Sequence, residues 1–241
     1  MPEKPPEAPW HNSVLKTRHE WEEAVAQVKR LGLPPHGDLP KNWDTLAALD
    51  FILKHTPQQA QILDAGAELY STLLPSLFLY GYKNLHGINV VFDSKVQHGS
   101  IVYQRGDLTR TDFTDNSFDA ITCLSTIEHG VNLRSYFQEM SRILVPGGSL
   151  ITSTDYYESA INTEGQKAFG VPVHVFTKNE IEMILALARE FDFELTGPLD
   201  LRCDEKAVSW KEFGLNYTFI IFTLRKRQGE RDLYAASKER T

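Results

Sequence analysis

The chain of 241 residues is 41% hydrophobic and 24% charged, with 15 glycines and 12 prolines. That balance excludes collagen-like, coiled-coil and wholly disordered chains, and the length allows one full domain with an appendage or two small ones. A net charge of −7 argues against a surface built to coat phosphate backbones, and the two cysteines, Cys123 and Cys203, are too few for a disulfide framework or a cysteine zinc cage.

The opening Met-Pro-Glu-Lys-Pro-Pro-Glu-Ala-Pro carries charges and prolines where a secretory signal needs a continuous apolar stretch, so residues 1–13 read as a flexible arm. The apolar-rich runs 69–82 and 217–224 fall short of the roughly 20 residues of a membrane-spanning helix, and a cytoplasmic protein is expected. Over residues 15–31, Leu15, Trp21, Val25, Val28 and Leu31 recur at helical spacing until Gly32-Leu33-Pro34-Pro35 stops the run. A second helix is expected over 43–55, with Asn42 as N-cap and Trp43, Leu46, Leu49, Ile52 and Leu53 on its inner face. Residues 14–57 thus read as an N-terminal helical extension lying on a larger domain.

From Gln61 onward, short apolar runs alternate with helical segments, the pattern of βα units in a mainly parallel sheet. Strands are expected at 61–63, 85–91, 101–103, 118–124, 149–153, 192–196 and 217–224. Helices fall between them at 69–80, 132–144 and 178–191, the last announced by a capping box of Thr177 and Glu180. This is an α/β chain, a Rossmann-like three-layer sandwich over residues 58–228, followed by a polar tail at 229–241. In such a sheet the carboxyl ends of the strands open a crevice for a nucleotide-like ligand, which draws attention to Asp64 and Gly66, Asn89, Gly106-Asp107-Leu108, and Ser125 to His129.

Four pieces stand in a specific order: Gly106-Asp107-Leu108, Asp115-Asn116-Ser117-Phe118-Asp119-Ala120, Ile127-Glu128-His129, and Leu144-Val145-Pro146-Gly147-Gly148-Ser149-Leu150. Over roughly residues 61–224 the chain thereby resembles the class I S-adenosylmethionine-dependent methyltransferases, in particular the type 11 group. The resemblance implies a seven-stranded, mainly parallel sheet with an antiparallel last strand. It implies S-adenosylmethionine as cofactor, S-adenosylhomocysteine as its product, and O- or N-methylation of a small molecule such as a sugar or secondary metabolite. It also places Asp64, Ala65, Gly66 and Glu68 in the methionine-binding loop, Asn89 at the ribose, and Asp107 on the adenine amino group with Leu108 on the ring. Ser125 to His129 would line the cofactor, and Asp155, Tyr156 and Tyr157 would lie at the substrate mouth.

The family's loop reads acidic-x-Gly-x-Gly-x-Gly, whereas here Glu68 and Tyr70 occupy the second and third glycine positions and Asn89 replaces an acidic ribose ligand. The cofactor has no pyrophosphate, which relaxes the closest backbone approach, and Asn89 keeps a ribose hydrogen bond without the gain from charge. These departures motivate a rival reading, a catalytically silent methyltransferase-like binding or scaffolding module. A nicotinamide-dependent oxidoreductase would need the G-x-G-x-x-G turn that is missing.

Methyl transfer is an in-line displacement at an activated carbon, so the protein contributes alignment and exclusion of water. An oxygen or nitrogen acceptor of high pKa also needs a base: His129 is the first candidate, with Asp155 and His174 as alternatives. Blander readings stand beside these. His129 is as well explained as a satisfied cleft histidine, His174 as a strand-edge residue, and Tyr156, Tyr157 and Trp210 as packing aromatics. Glu128 reads either as a helix cap or as a ligand contact, and Cys123 as an inert core thiol. No metal, nucleic-acid partner or membrane insertion is expected, and the oligomeric state stays open.

Overall fold

The computed structural model describes residue 2, residues 4–168 and residues 170–228; the expected polar tail lies outside the described residues. A short strand, β1 (Ser13–Val14), leads to α1 (Arg18–Arg30), where the Thr17 hydroxyl caps the helix by accepting from the Glu20 N–H at 3.3 Å. Leu15, expected inside this helix, is instead fully buried in the extended lead-in, where its N–H donates to the Phe219 carbonyl at 2.8 Å. In the segment expected as a flexible arm, Ala8 is fully buried, and the Trp10 indole donates to the Trp43 carbonyl at 3.2 Å while stacking on its ring. Helix α2 (Lys41–His55) starts after Pro40, so Asn42 is not its N-cap. The Asn42 side chain turns back on the preceding loop, accepting from His36 N–H at 2.9 Å and donating to the His36 and Leu39 carbonyls.

The chain continues through β2 (Gln61–Ala65), α3 (Leu73–Leu79), β3 (Asn84–Asn89), β4 (Val96–His98), β5 (Ile101–Arg105) and β6 (Phe118–Leu124). It then forms α4 (Leu133–Ile143), β7 (Leu144–Tyr156), the small hairpin β8 (Lys167–Ala168) and β9 (Val171–Pro172), α5 (Lys178–Arg189), β10 (Phe193–Leu195), β11 (Val208–Trp210) and β12 (Leu215–Lys226). The capping box of Thr177 and Glu180 is present at α5. The β3 strand stops at Asn89, short of the expected Val91, because Val90 and Val91 leave the sheet and stand half exposed at the rim of a crevice.

Strand order in the main sheet is β1-β12-β7-β6-β2-β3-β5-β4, with β10 and β11 also pairing to β12. β2, β3, β5, β6 and β7 run parallel, and β12 enters antiparallel between β7 and β10. These are the seven strands that the resemblance implies; β1, β4 and β11 add short antiparallel pairings. Helices α1, α2 and α3 pack one face through Trp21, Trp43, Leu46 and Leu77. Phe137 and Met140 of α4 with Ile181 and Ile184 of α5 pack the other, completing three layers. Among the described residues no helix is long and apolar enough to cross a membrane.

Candidate functional site

β2 lies between β3 and β6, and the chain reaches these neighbours on opposite sides, which opens a crevice at the strands' carboxyl ends. Gly66, just past β2, has φ +98°, and a Cβ there would strike the Thr126 side chain. Only glycine therefore lets the loop after β2 approach the loop after β6 this closely. The resulting cleft of about 470 Å³ is walled by Gly66, Glu68 and Tyr70, by Asn89 to Val91 after β3, by Asp107 and Leu108 after β5, and by Ser125 and His129 after β6. That size is within the usual range for small-molecule sites.

Polar side chains in this cleft are tied to its own loops. Asn89 Nδ2 donates to the Gly66 carbonyl at 3.1 Å and Oδ1 accepts from Val91 N–H at 3.3 Å, so Asn89 clasps two loops together. Asp107 Oδ1 accepts from the Thr109 N–H and hydroxyl at 2.8 and 2.6 Å, which holds the carboxylate at the rim. Glu68 and Tyr70 both lie outside the left-handed backbone region, so the backbone there carries these side chains without strain. The Tyr70 ring is 63% exposed and meets the His36 ring edge-on at 5.8 Å, leaving the cleft open.

A second cleft of about 430 Å³ shares Gly66, Glu68, Tyr70, Ser125 and His129 with the first, and runs on beneath the start of α2 to Lys41, Glu128, Asp155, Trp210 and Tyr217. The junction is set by Ser125, whose φ of +47° ends β6 while its N–H donates to the Ser153 carbonyl at 3.0 Å. Glu128 and Asp155 are 3% and 4% exposed. Glu128 accepts from the Thr154 hydroxyl at 3.0 Å, while Asp155 Oδ1 has no hydrogen-bond partner. Burial and the neighbouring Glu128 carboxylate hold the Asp155 carboxyl well above the usual carboxylate range, although Lys41 and the Tyr217 hydroxyl oppose this. Burial lowers the His129 imidazole below its ordinary value, only partly offset by Glu128. Burial also disfavours the Lys41 ammonium, but Asp155, Glu128, Asp44 and Asp38 outweigh it and raise its pKa.

Of the residues expected in the site, Gly66, Glu68, Asn89, Asp107, Leu108, Ser125 and His129 line the first cleft, and Asp155 lines the second. Asp64 and Ala65 lie behind them and line neither: Asp64 is buried on the Thr122 hydroxyl at 2.8 Å and burial pushes its pKa up to about 6, while Ala65 is fully buried. His174 pairs with Glu180 at 3.1 Å, buried Tyr156 donates to the Leu201 carbonyl at 2.8 Å, and Tyr157 faces the Lys206 ammonium at 4.5 Å; none of the three lines either cleft. Trp210 does. Sequence reasoning missed His36, Lys41 and Tyr217, which reach the second cleft from α2, its preceding loop and β12, and it left Glu128 open between two roles. The capping-type composition at 41–44 was a helix signal only.

A methyltransferase domain model matches residues 87–152. A sterol 24-C-methyltransferase of Yarrowia lipolytica is 28% identical over 118 residues, covering 46% of this chain and 30% of that protein, so the chain spans less than a third of that relative's length. Among solved structures, a SAM-dependent methyltransferase of Methanosarcina mazei superposes with a TM-score of 0.55 at 16% identity, over 74% of this chain and 98% of that one. The [4+2]-cyclase SpnF superposes with a TM-score of 0.56 at 15% identity, over 91% of this chain and all of that one (100%).

Proposed function

We propose, on the premise that the chain belongs to the class I methyltransferases, that it transfers a methyl group to a small-molecule acceptor with S-adenosylmethionine as cofactor. The observation that carries this is the pair of clefts meeting at Gly66, Ser125 and His129, one sized and placed for a nucleoside and the other reaching the start of α2. The residues fit the group: Gly66 brings the loops after β2 and β6 together as one wall, Asp107 offers an acceptor to an amino group, and Leu108 and Val90 give apolar surface for a ring. When bound, the cofactor supplies a methyl carbon already activated by its sulfonium. This chain's residues hold the acceptor in line and take up a proton.

His129 faces both clefts, and burial lowers its proton affinity and favours the neutral ring, the form that can accept a proton from the acceptor at the junction. Asp155, the alternative base, lines the second cleft together with Glu128, Lys41 and Tyr217. The likeness to a sterol methyltransferase supports a small-molecule acceptor, and the two free cysteines support the reducing, cytoplasmic setting.

Thermal melting with S-adenosylmethionine, S-adenosylhomocysteine and NAD tests the reading. Ligand at about 100 times its dissociation constant stabilises by roughly 2.7 kcal/mol, which for a chain of this size raises Tm by about 5–10 °C. Both sulfur compounds are expected to shift the transition and NAD is not. The absence of any shift with either would overturn the assignment. A shift with no transfer to any acceptor would favour the silent binding module that Glu68, Tyr70 and Asn89 first suggest; the [4+2]-cyclase carries the same fold under a different activity.

A further inference from the structure

We propose that the acceptor carries a basic nitrogen, cationic at neutral pH, that docks on Asp155 and Glu128 in the second cleft. This rests on the methyltransferase reading and narrows its substrate. Asp155 is 4% exposed and lines the cleft, yet its Oδ1 has no hydrogen-bond partner. Buried carboxyl oxygens are almost always paired, and the Tyr217 hydroxyl engages this carboxyl without satisfying Oδ1, so an orphan on a residue that lines a cleft marks the place of a donor that arrives with the ligand. Glu128 lines the same cleft and is held through one oxygen by the Thr154 hydroxyl. Across the lining, four carboxyl groups, Asp38, Glu68, Glu128 and Asp155, stand against the single ammonium of Lys41, which sits 4.6 Å from the centre of the Phe219 ring.

The remaining wall points the same way. Tyr70, Trp210 and Tyr217 line this space, and aromatic faces attract cations. An alcohol would pair the orphan oxygen but leave the excess negative charge unbalanced, and a carboxylate would add to it. An ammonium does both tasks, with three donors on one charged atom. A metal ion is a poorer fit, since among the described residues no group of three or more His, Cys, Asp or Glu side chains is arranged to hold one.

Docking has a proton consequence. Asp155 is faced by Glu128 from the loop after β6, Lys41 from α2, Tyr217 from β12 and Asp38 from the loop before α2, and burial with Glu128 favours its protonated form. An ammonium placed on it stabilises the carboxylate, so arrival of the cation shifts Asp155 toward its ionised form, and any proton it held leaves to solvent.

Calorimetry tests this on the whole protein saturated with S-adenosylhomocysteine at pH 7, in two buffers of different ionisation enthalpy. The probes are 2-phenylethylamine, 2-phenylethanol and 3-phenylpropanoate. The amine is expected to bind at least about tenfold more tightly than the other two, with release of protons. Asp155→Asn and Glu128→Gln should each weaken it about tenfold, and Asp155→Asn should also abolish the proton release, with S-adenosylhomocysteine affinity retained as the control for folding. Equal binding of alcohol or carboxylate, no binding of the amine, or an unchanged amine affinity in both variants overturns the proposal. Where S-adenosylhomocysteine still binds in such a failure, only the amine assignment falls; where it does not bind the unmodified protein, the methyltransferase reading falls with it.

Discussion

In the first cleft the polar side chains hold one another's loops: Asn89 clasps the Gly66 carbonyl and Asp107 is braced by Thr109. In the second, Asp155 keeps an orphan oxygen and shares buried ground with Glu128 and Lys41. The difference follows from how each is assembled. The first cleft is made of strand ends, where short turns bond locally and present backbone to a ligand. The second is made of side chains from α2, β7, β12 and the loop after β6, whose charges are brought together by packing and balance only in part. A cradle braced by its own loops beside a charged pocket is the division expected where one ligand is common to a fold and the other is particular to the chain.

The sharpest way to break this contrast is at the junction. His129→Ala should lower methyl transfer by about 100-fold while S-adenosylhomocysteine affinity stays within about threefold. The wild-type rate should rise as pH climbs through a pKa lying below the ordinary imidazole value, then level off, because the neutral ring is the active form. That rising limb should vanish in the variant; an unchanged rate or a limb that persists removes His129 as the base.

A smaller effect is expected within the cradle. Asp107→Ala should weaken S-adenosylhomocysteine binding by about tenfold, the scale of one hydrogen bond to a charged acceptor. Calorimetry reads this directly, and equal affinity would place the adenine elsewhere. The smallest effect concerns stability behind both clefts. The Asp64 carboxyl has its pKa raised from 3.8 to about 6 in the folded protein, so between those values the native state binds more protons than the unfolded chain. Its contribution to stability is therefore present below about pH 4 and is lost as pH rises through about 6. Asp64→Asn should accordingly raise Tm by a few degrees at pH 7.5, in the ligand-free protein, with little change at pH 4. Equal gains at both pH values would show that charge burial is not the cause.

Much of the first cleft was legible because its residues follow strands in order, and local rules identify strand ends: Gly66, Asn89, Asp107 and Ser125 all fall within a few residues of an apolar run. Asn89 shows the boundary of that legibility. Its position was readable, but its bond to the Gly66 carbonyl depends on a neighbouring strand's loop. Asp64 was placed correctly after the first strand's apolar residues, but only packing against Thr122 turned it inward. The start of α2 was misread for a similar reason, since Asn42 has the composition of a cap but spends its side chain on the His36 loop.

By itself the sequence determined the βα order, the three-layer class and the strand-end residues, because hydrophobic periodicity and turn chemistry act over a few neighbouring positions. Tertiary structure alone decided that Lys41, Glu128, Asp155 and Tyr217 share one cleft, that the segment before α1 packs across the sheet, and that Glu68 and Tyr70 leave the crevice open. Those outcomes depend on the balance of burial and charge among residues far apart in the chain, a sum that exists only after folding has set their distances.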